Sequence, residues 1–326
     1  MSRDVVVSVE GLTLELQGLQ PALVEDVSFD VASGETVALI GESGCGKTVT
    51  AQAVLGLLPP QVRAASGRIV FQGTPLTREL AARLRGREIG AVFQNPMTSL
   101  DPTMKVGDQI AESRRVHLNE SRRVARRHAV ELLELVGVTE PQKRARQFPH
   151  QFSGGMQQRA MIAAAIACEP KLLIADEPTT ALDVTVQAEI LILLDRLKIE
   201  VGMGMLLVTH DLGVVAAAAA RVAVMYAGHV VEQGRTEEIF ENPAHPYTQG
   251  LLASVPADAE PRSRLRVIGG RVPSAGDFPV GCRFQTRCPH AEAACARGLV
   301  PVQALETTHE VRCILHEKSG AVNTHA

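Results

Sequence analysis

One stretch limits the possible folds more than any other. An apolar run, Thr36-Val37-Ala38-Leu39-Ile40, leads straight into Gly41-Glu42-Ser43-Gly44-Cys45-Gly46-Lys47-Thr48. A near-continuous apolar run reads as a strand buried on both faces, which belongs in a parallel sheet covered by helices. The glycines let backbone N–H groups curl around an anion, and a helix expected from Lys47 to Leu58, stopped by Pro59-Pro60, adds its positive end. Lys47 supplies a cation to the phosphates and Thr48 offers a hydroxyl to Mg²⁺. A purely structural Gly-rich turn is the competing reading, and the placement between strand and helix weighs against it.

The surrounding sequence fits an α/β chain. Val5 to Val9, Leu12 to Leu16 and Val27 to Val31 alternate apolar and polar residues, as strands with one wet face do. From about Asp101 to Arg146 the pattern turns helical and charged, with Ala111 to Gly137 carrying many Arg and Glu residues around Val130, Leu132, Leu133 and Leu135. Leu172 to Ala175 and Met205 to Thr209 read as short buried strands separated by a helix, Val186 to Leu197, which implies βαβ units. Breaker-rich Asn242 to Tyr247 suggests a boundary near residue 240. The expected division is 1–238 for nucleotide binding, with a helical subdomain at about 97–165. A linker at 239–267, a Cys-rich module at 268–318 and a tail at 319–326 follow.

Composition removes several function classes. The 33 basic and 36 acidic residues give a net charge of -3, so no global attraction to nucleic acid or anionic lipid is expected. Two Tyr, eight Phe and no Trp argue against base-stacking platforms for single-stranded nucleic acid. No run approaches the roughly 20 uncharged apolar residues of a membrane-spanning helix. The nearest, Leu212 to Gly228, is broken by Arg221 and reads as a helix end followed by a strand, Val222 to Tyr226. The N-terminus lacks a signal-peptide core, so the chain is expected in the cytosol unless a partner holds it at a membrane.

Two further motifs narrow the chemistry. Leu172-Leu173-Ile174-Ala175-Asp176-Glu177 is an apolar strand delivering two carboxylates to its C-terminal end, where α/β sheets bind ligands. Asp176 fits the Mg²⁺-holding role and Glu177 the general base for an attacking water. Phe152-Ser153-Gly154-Gly155-Met156-Gln157-Gln158-Arg159 opens a helical run from Met156 to Ala167; taken alone, Ser153 is a helix cap. In company with the other motifs, this string resembles the signature sequence of ABC ATPases.

That resemblance covers residues 5 to 238 and implies an α/β P-loop NTPase core with a β-rich N-terminal subdomain and a helical insert. It implies that ATP is bound by Gly41, Glu42, Ser43, Gly44, Cys45, Gly46, Lys47 and Thr48. The triphosphate is then closed over by Ser153, Gly154, Gly155 and Gln157 of a second subunit. Thr48, Gln94 and Asp176 are implied as Mg²⁺ contacts. Glu177, His210 and Gln94 are implied as catalytic residues, Gln94 also touching the transport partner, and Ala181-Leu182-Asp183 as the loop crossing the dimer interface. One departure is Leu16, which stands where the family places an aromatic ring against adenine. Weaker base selectivity and measurable GTP hydrolysis are expected from it. Cys45 reads as a small filler; a sharper reading is a thiol acidified at the helix N-terminus, whose oxidation blocks ATP.

The C-terminal part narrows the resemblance. Asn242 to Leu252, Gly281 to Pro289 and Phe93 to Pro102 look like the oligopeptide and dipeptide importers, whose close relatives carry nickel or other small solutes. The implied partners are a second ABC ATPase, either homologous or a copy, two membrane permease subunits and an extracytoplasmic solute-binding protein. The implied location is peripheral, on the cytoplasmic face of the membrane. Four of six cysteines, Cys282, Cys288, Cys295 and Cys313, cluster here. Their C-x5-C-x6-C-x17-C spacing lacks paired zinc knuckles and is compatible with a 4Fe–4S cluster, though not with ferredoxin spacing. The resemblance favours the cluster; zinc, joined by His290, His309 or His316, and unligated thiols stay open. Any such group is expected to act as a structural staple. Rival readings are a soluble ABC ATPase acting on DNA or ribosomes and an ATPase gated by a redox-sensing cluster.

Overall fold

A computed structural model describes residues 3–94, 99–180, 182–254, 268–306 and 308–317. Two sheets divide the strands. β1 (Val5–Leu16) lies between β2 (Val24–Ala32) and β4 (Val62–Phe71), and β5 (Thr74–Pro75) closes this antiparallel sheet in the order β2-β1-β4-β5. The two alternating runs expected at the N-terminus are one strand, irregular where Gly11 takes a φ of 58°.

The second sheet carries the site. Its parallel part is formed by β3 (Thr36–Ile40), β6 (Ile89–Val92), β7 (Leu172–Asp176), β8 (Gly204–Thr209) and β9 (Arg221–Tyr226), in the order β9-β3-β8-β7-β6. Every residue of β3 and β8 is buried, as their unbroken apolar runs require. β10 (His229–Arg235) continues the sheet antiparallel to β9. Short β12 (Glu310–Val311) and β11 (Gln303–Ala304) extend it further. Since β3 and β7 run parallel on either side of β8, the phosphate loop and Asp176 emerge at the same edge of the sheet.

The helical insert comprises Val106–Leu118, Arg122–Leu135, Pro141–Arg144 and Gly154–Ala165. The single helical pattern from Ala111 to Gly137 is two helices. Asn119 takes the left-handed conformation at φ 56°, and Ser121 caps the next helix by accepting the Val124 N–H. Ile110, Ala129, Leu133 and Ile162 bury the insert's apolar stripe against Leu193 and Leu197 of helix Val184–Val201.

Packing continues across the boundary expected near residue 240. Tyr247 in helix Pro246–Ala253, with Phe278 and Phe284 of the Cys-rich segment, joins Ala38, Ile40, Val224 and Tyr226 of the central sheet in one apolar cluster. The Tyr226, Tyr247 and Phe284 rings meet with centroids 4.7 to 5.4 Å apart. The short C-terminal segment thus borrows the core of the main sheet. The expected 319–326 tail and residues 255–267 of the expected 239–267 linker lie outside the described residues.

Candidate functional site

Gly41 to Thr48 turns from β3 into helix Lys47–Val54. Gly41 has φ 147°, and a Cβ there meets the Met225 carbonyl oxygen at 2.1 Å; Gly46 caps the helix at φ 104°. The loop is therefore fixed by close approach to β9, with Gly44 also in the positive-φ region. Lys47 Nζ donates to the Gly41 and Glu42 carbonyls at 2.8 and 3.1 Å, so the cation lies across the mouth of the loop. Ser43 and Gly44 are exposed. Cys45 is 1% exposed, and burial pushes its thiol pKa up. The acidified, oxidation-sensitive reading of Cys45 is therefore corrected: it is a buried filler.

The two carboxylates leave β7 differently. Thr48 Oγ1 donates to Asp176 Oδ1 at 3.4 Å. Burial, reinforced by the neighbouring Glu177 charge, raises the Asp176 pKa against the opposing hydrogen bond from Thr48. Glu177 sits at φ 47°, an uncommon backbone conformation for a non-glycine residue, and its N–H donates to Val208 O on β8. Its carboxylate is held from three sides. Gln94 Nε2 donates at 2.7 Å, Thr180 Oγ1 donates at 2.9 Å, and His210 Nδ1 lies 2.9 Å away. Partial burial pushes Glu177 up, but the bonds from His210 and Thr180, with the charges of His210 and Lys47, outweigh it and hold the carboxyl below its usual range. Phosphate loop, Asp176, Glu177, Gln94 and His210 thus form one connected constellation. Thr180 is an addition that no isolated motif signalled.

The Ser153 turn stands apart. Ser153 Oγ accepts the Met156 N–H and caps helix Gly154–Ala165, while Ser153 and Gly154 remain exposed. A Cβ on Gly155 meets Val186 Cγ1 at 2.9 Å, so that glycine lets the helix start approach helix Val184–Val201. Among the described residues no hydrogen bond joins this turn to the phosphate loop. Gln157 is 8% exposed and its amide donates to the Pro149 and Phe152 carbonyls, so within this chain it braces the turn from inside. Asp183 caps helix Val184–Val201 by accepting the Val186 N–H; Ala181, and Asn95 to Thr98 beside Gln94, lie outside the described residues. Leu16 ends β1, half-buried and paired with Val62.

The C-terminal segment reaches the phosphate loop at Glu42. Its N–H donates to the Tyr247 hydroxyl oxygen at 2.9 Å, and its carboxylate accepts two bonds from Arg287 at 2.9 and 3.1 Å. Arg283 is likewise buried and donates to Glu25 and to the Ala227 carbonyl. The links of Glu42 to Tyr247 and Arg287 and of Glu25 to Arg283 each span over 200 residues of sequence, and neighbouring motifs hint at none of them.

Cys282, Cys288, Cys295 and Cys313 are all free thiols and line one small cavity. Gly281, at φ 84°, lets the chain cross so closely that the Cys282 N–H donates to Cys295 O. Burial pushes the Cys282 thiol up to about 11 and raises Cys288 and Cys313. The Cys288 and Cys295 sulfurs accept N–H bonds from His290 and Glu292. His245, 1% exposed, lines the same cavity; its Nδ1 accepts the Tyr247 N–H, and its Nε2 has no partner. Among the described residues, no three His, Cys, Asp or Glu side chains are arranged to hold a metal ion. Two of the histidines considered for zinc are engaged elsewhere: His309 Nε2 lies 2.7 Å from Glu232, and His316 Nε2 lies 3.1 Å from Ala244 O.

Known proteins share this design. Residues 24–180 match the ABC transporter family, and residues 231–295 match the C-terminal region of oligopeptide/dipeptide transporters. A putative peptide import ATP-binding protein of Brucella abortus is 48% identical, covering 98% of this chain and all of the relative. The dipeptide transport ATP-binding protein DppD of Bacillus subtilis is 48% identical over 90% of this chain and 89% of its own length. Among solved structures, cbiO1 of Clostridium perfringens, part of an ABC transporter complex, superposes with TM-score 0.64 at 28% identity, covering 73% of this chain and 92% of its own. The dimeric cassette MJ0796 in a post-hydrolysis state with ADP and phosphate gives TM-score 0.62 at 26% identity, covering 71% and 98%.

Proposed function

The chain belongs to the ATP-hydrolysing subunits of ABC transporters, and from that premise we propose that it powers the uptake of di- or oligopeptides through a separate membrane permease. The observation that carries the solute class is the peptide-transporter match across residues 231–295, joined to 48% identity over 98% and 90% of the chain with two ATP-binding proteins named for peptide import and dipeptide transport. The test is reconstitution with a peptide-importer permease and its solute-binding protein. Peptide should stimulate ATP turnover and enter vesicles; stimulation by nickel or another small solute alone would reassign the cargo.

Lys47, the loop N–H groups and the helix N-terminus at Lys47 bind the triphosphate. Thr48, Asp176 and Gln94 are the residues to hold Mg²⁺, which when bound neutralises charge across the transferring phosphate. The Thr48–Asp176 contact supports this, because it brings hydroxyl and carboxylate to one place. Glu177 receives the proton of the attacking water, and His210 and Gln94 hold its carboxylate in position. The exposure of Ser153 and Gly154 at this turn supports a composite site in which a second ATPase subunit completes the pocket.

A groove of about 540 Å³ supports permease docking beside Gln94. It is lined by Leu57, Phe93, Leu100, Met104 and Met161, with Leu57 and Phe93 exposed. No helix among the described residues is long and apolar enough to cross a membrane. The location we propose is the cytoplasmic face of the membrane, where the permease holds the subunit.

For the four cysteines, a 4Fe–4S cluster is the reading their surroundings support best. Thiols round one cavity, amide N–H groups on two sulfurs and an unpartnered buried His245 Nε2 form a donor set suited to a sulfur-rich group. When bound, it cross-links the segment to itself. Iron with acid-labile sulfide in purified protein is expected; one zinc per chain would replace this reading.

A further inference from the structure

We propose that Arg287, in the cysteine-bearing segment, is the counter-charge to the phosphate loop's one carboxylate, Glu42, and thereby sets the affinity for ATP. Between Gly41 and Thr48 the loop must grip a highly anionic triphosphate, yet it carries an acid at its second position. That acid is covered. The Arg287 guanidinium meets both Glu42 carboxylate oxygens at 2.9 and 3.1 Å, the two-pronged geometry in which arginine binds carboxylates most strongly.

The arginine is itself fixed. Its side chain is 5% exposed, Nε donates to Gly269 O at 2.8 Å, and it bonds the Tyr226 hydroxyl at 3.3 Å. Its guanidinium carbon lies 5.6 Å from the Tyr226 ring centre. A cation so enclosed cannot follow Glu42 if the loop shifts, so it pins the carboxylate away from the phosphates. The Tyr247 hydroxyl fixes the same residue by accepting its N–H. Arg287 is covalently next to Cys288, so whatever orders the cysteine cavity also orders the counter-charge. Arg287 is a positioning residue acting through Glu42, and the inference rests on the reading of Gly41–Thr48 as the ATP loop.

The test uses the full chain assembled with its partner ATPase and permease, reading KM and kcat for ATP and the binding of a fluorescent ATP analogue with Mg²⁺. Arg287→Met leaves an uncovered carboxylate in the loop and should raise KM about ten-fold with a smaller change in kcat. Adding Glu42→Gln should bring KM back to within about three-fold of the native value. Glu42→Gln alone, on the loop side and away from the cysteine segment, should lower KM, since it removes the loop's one negative charge and leaves the positive charge of Arg287 unneutralised. An increase in KM for Glu42→Gln overturns the proposal even if Arg287→Met does not fold. So does an unmoved KM in a folded Arg287→Met, or a double variant no better than Arg287→Met. Failure of the native chain to bind the analogue would instead strike at the nucleotide site itself.

Discussion

Glu177 is oriented by Gln94, Thr180 and His210, three donors from three different segments, on a backbone of positive φ. Such convergence positions a carboxylate for one task. Glu177→Gln should therefore keep ATP binding and lose kcat by about 10²–10³-fold, measured as bound nucleotide against phosphate release. Binding lost along with turnover would give Glu177 a different role. His229 offers a second test at this scale. Burial, aided by the charges of Arg283 and Arg312, lowers its pKa from 6.5 to about 4 against the bond to Glu25. The unfolded chain takes up this proton at 6.5 and the folded chain only near 4, so the native state is fully favoured above pH 6.5. Stability then falls as the pH drops through that window, by roughly 3 kcal/mol at most. Thermal melts from pH 7.5 to 4.5 should show this decline, and His229→Gln should flatten it; an unchanged slope would place the acid sensitivity elsewhere.

At the scale of elements, the insert depends on apolar stripes whose polar faces carry the charge. Leu133, fully buried on helix Arg122–Leu135, anchors one stripe. Leu133→Ala should destabilise the protein by about 2–5 kcal/mol, read by denaturant melts. A loss under 1 kcal/mol would mean the insert is not part of the common core. What the sequence revealed followed the range of the physics involved. Strand, loop and helix around Lys47 were legible because glycine, lysine and apolar runs act locally, and β7 with its two acids likewise. The helix break at Asn119 was hidden in a continuous charged pattern, and the inward turn of Gln157 depends on where Pro149 and Phe152 end up. The Arg287–Glu42 pair joins residues 245 apart, so only the fold reveals it. The same holds for His245, whose place beside the cysteines needs helix Pro246–Ala253 docked on the main sheet.

Across the whole molecule, the C-terminal segment has little core of its own and leans on Tyr226, Ala38 and Ile40 of the nucleotide-binding sheet. Cys288→Ser should therefore lower the melting temperature or impair assembly before it alters phosphate chemistry. A well-folded variant of normal stability that has lost turnover would contradict that order of effects. The larger claim is that one chain holds only part of an ATPase pocket, with the Ser153 turn presented outward for another subunit. The most direct test is ATP turnover per chain across a dilution series, with the association state measured at each concentration by sedimentation. The account predicts that activity per chain falls toward zero as monomer replaces dimer, and returns when the partner ATPase is added. Undiminished turnover by a chain shown to be monomeric would contradict it.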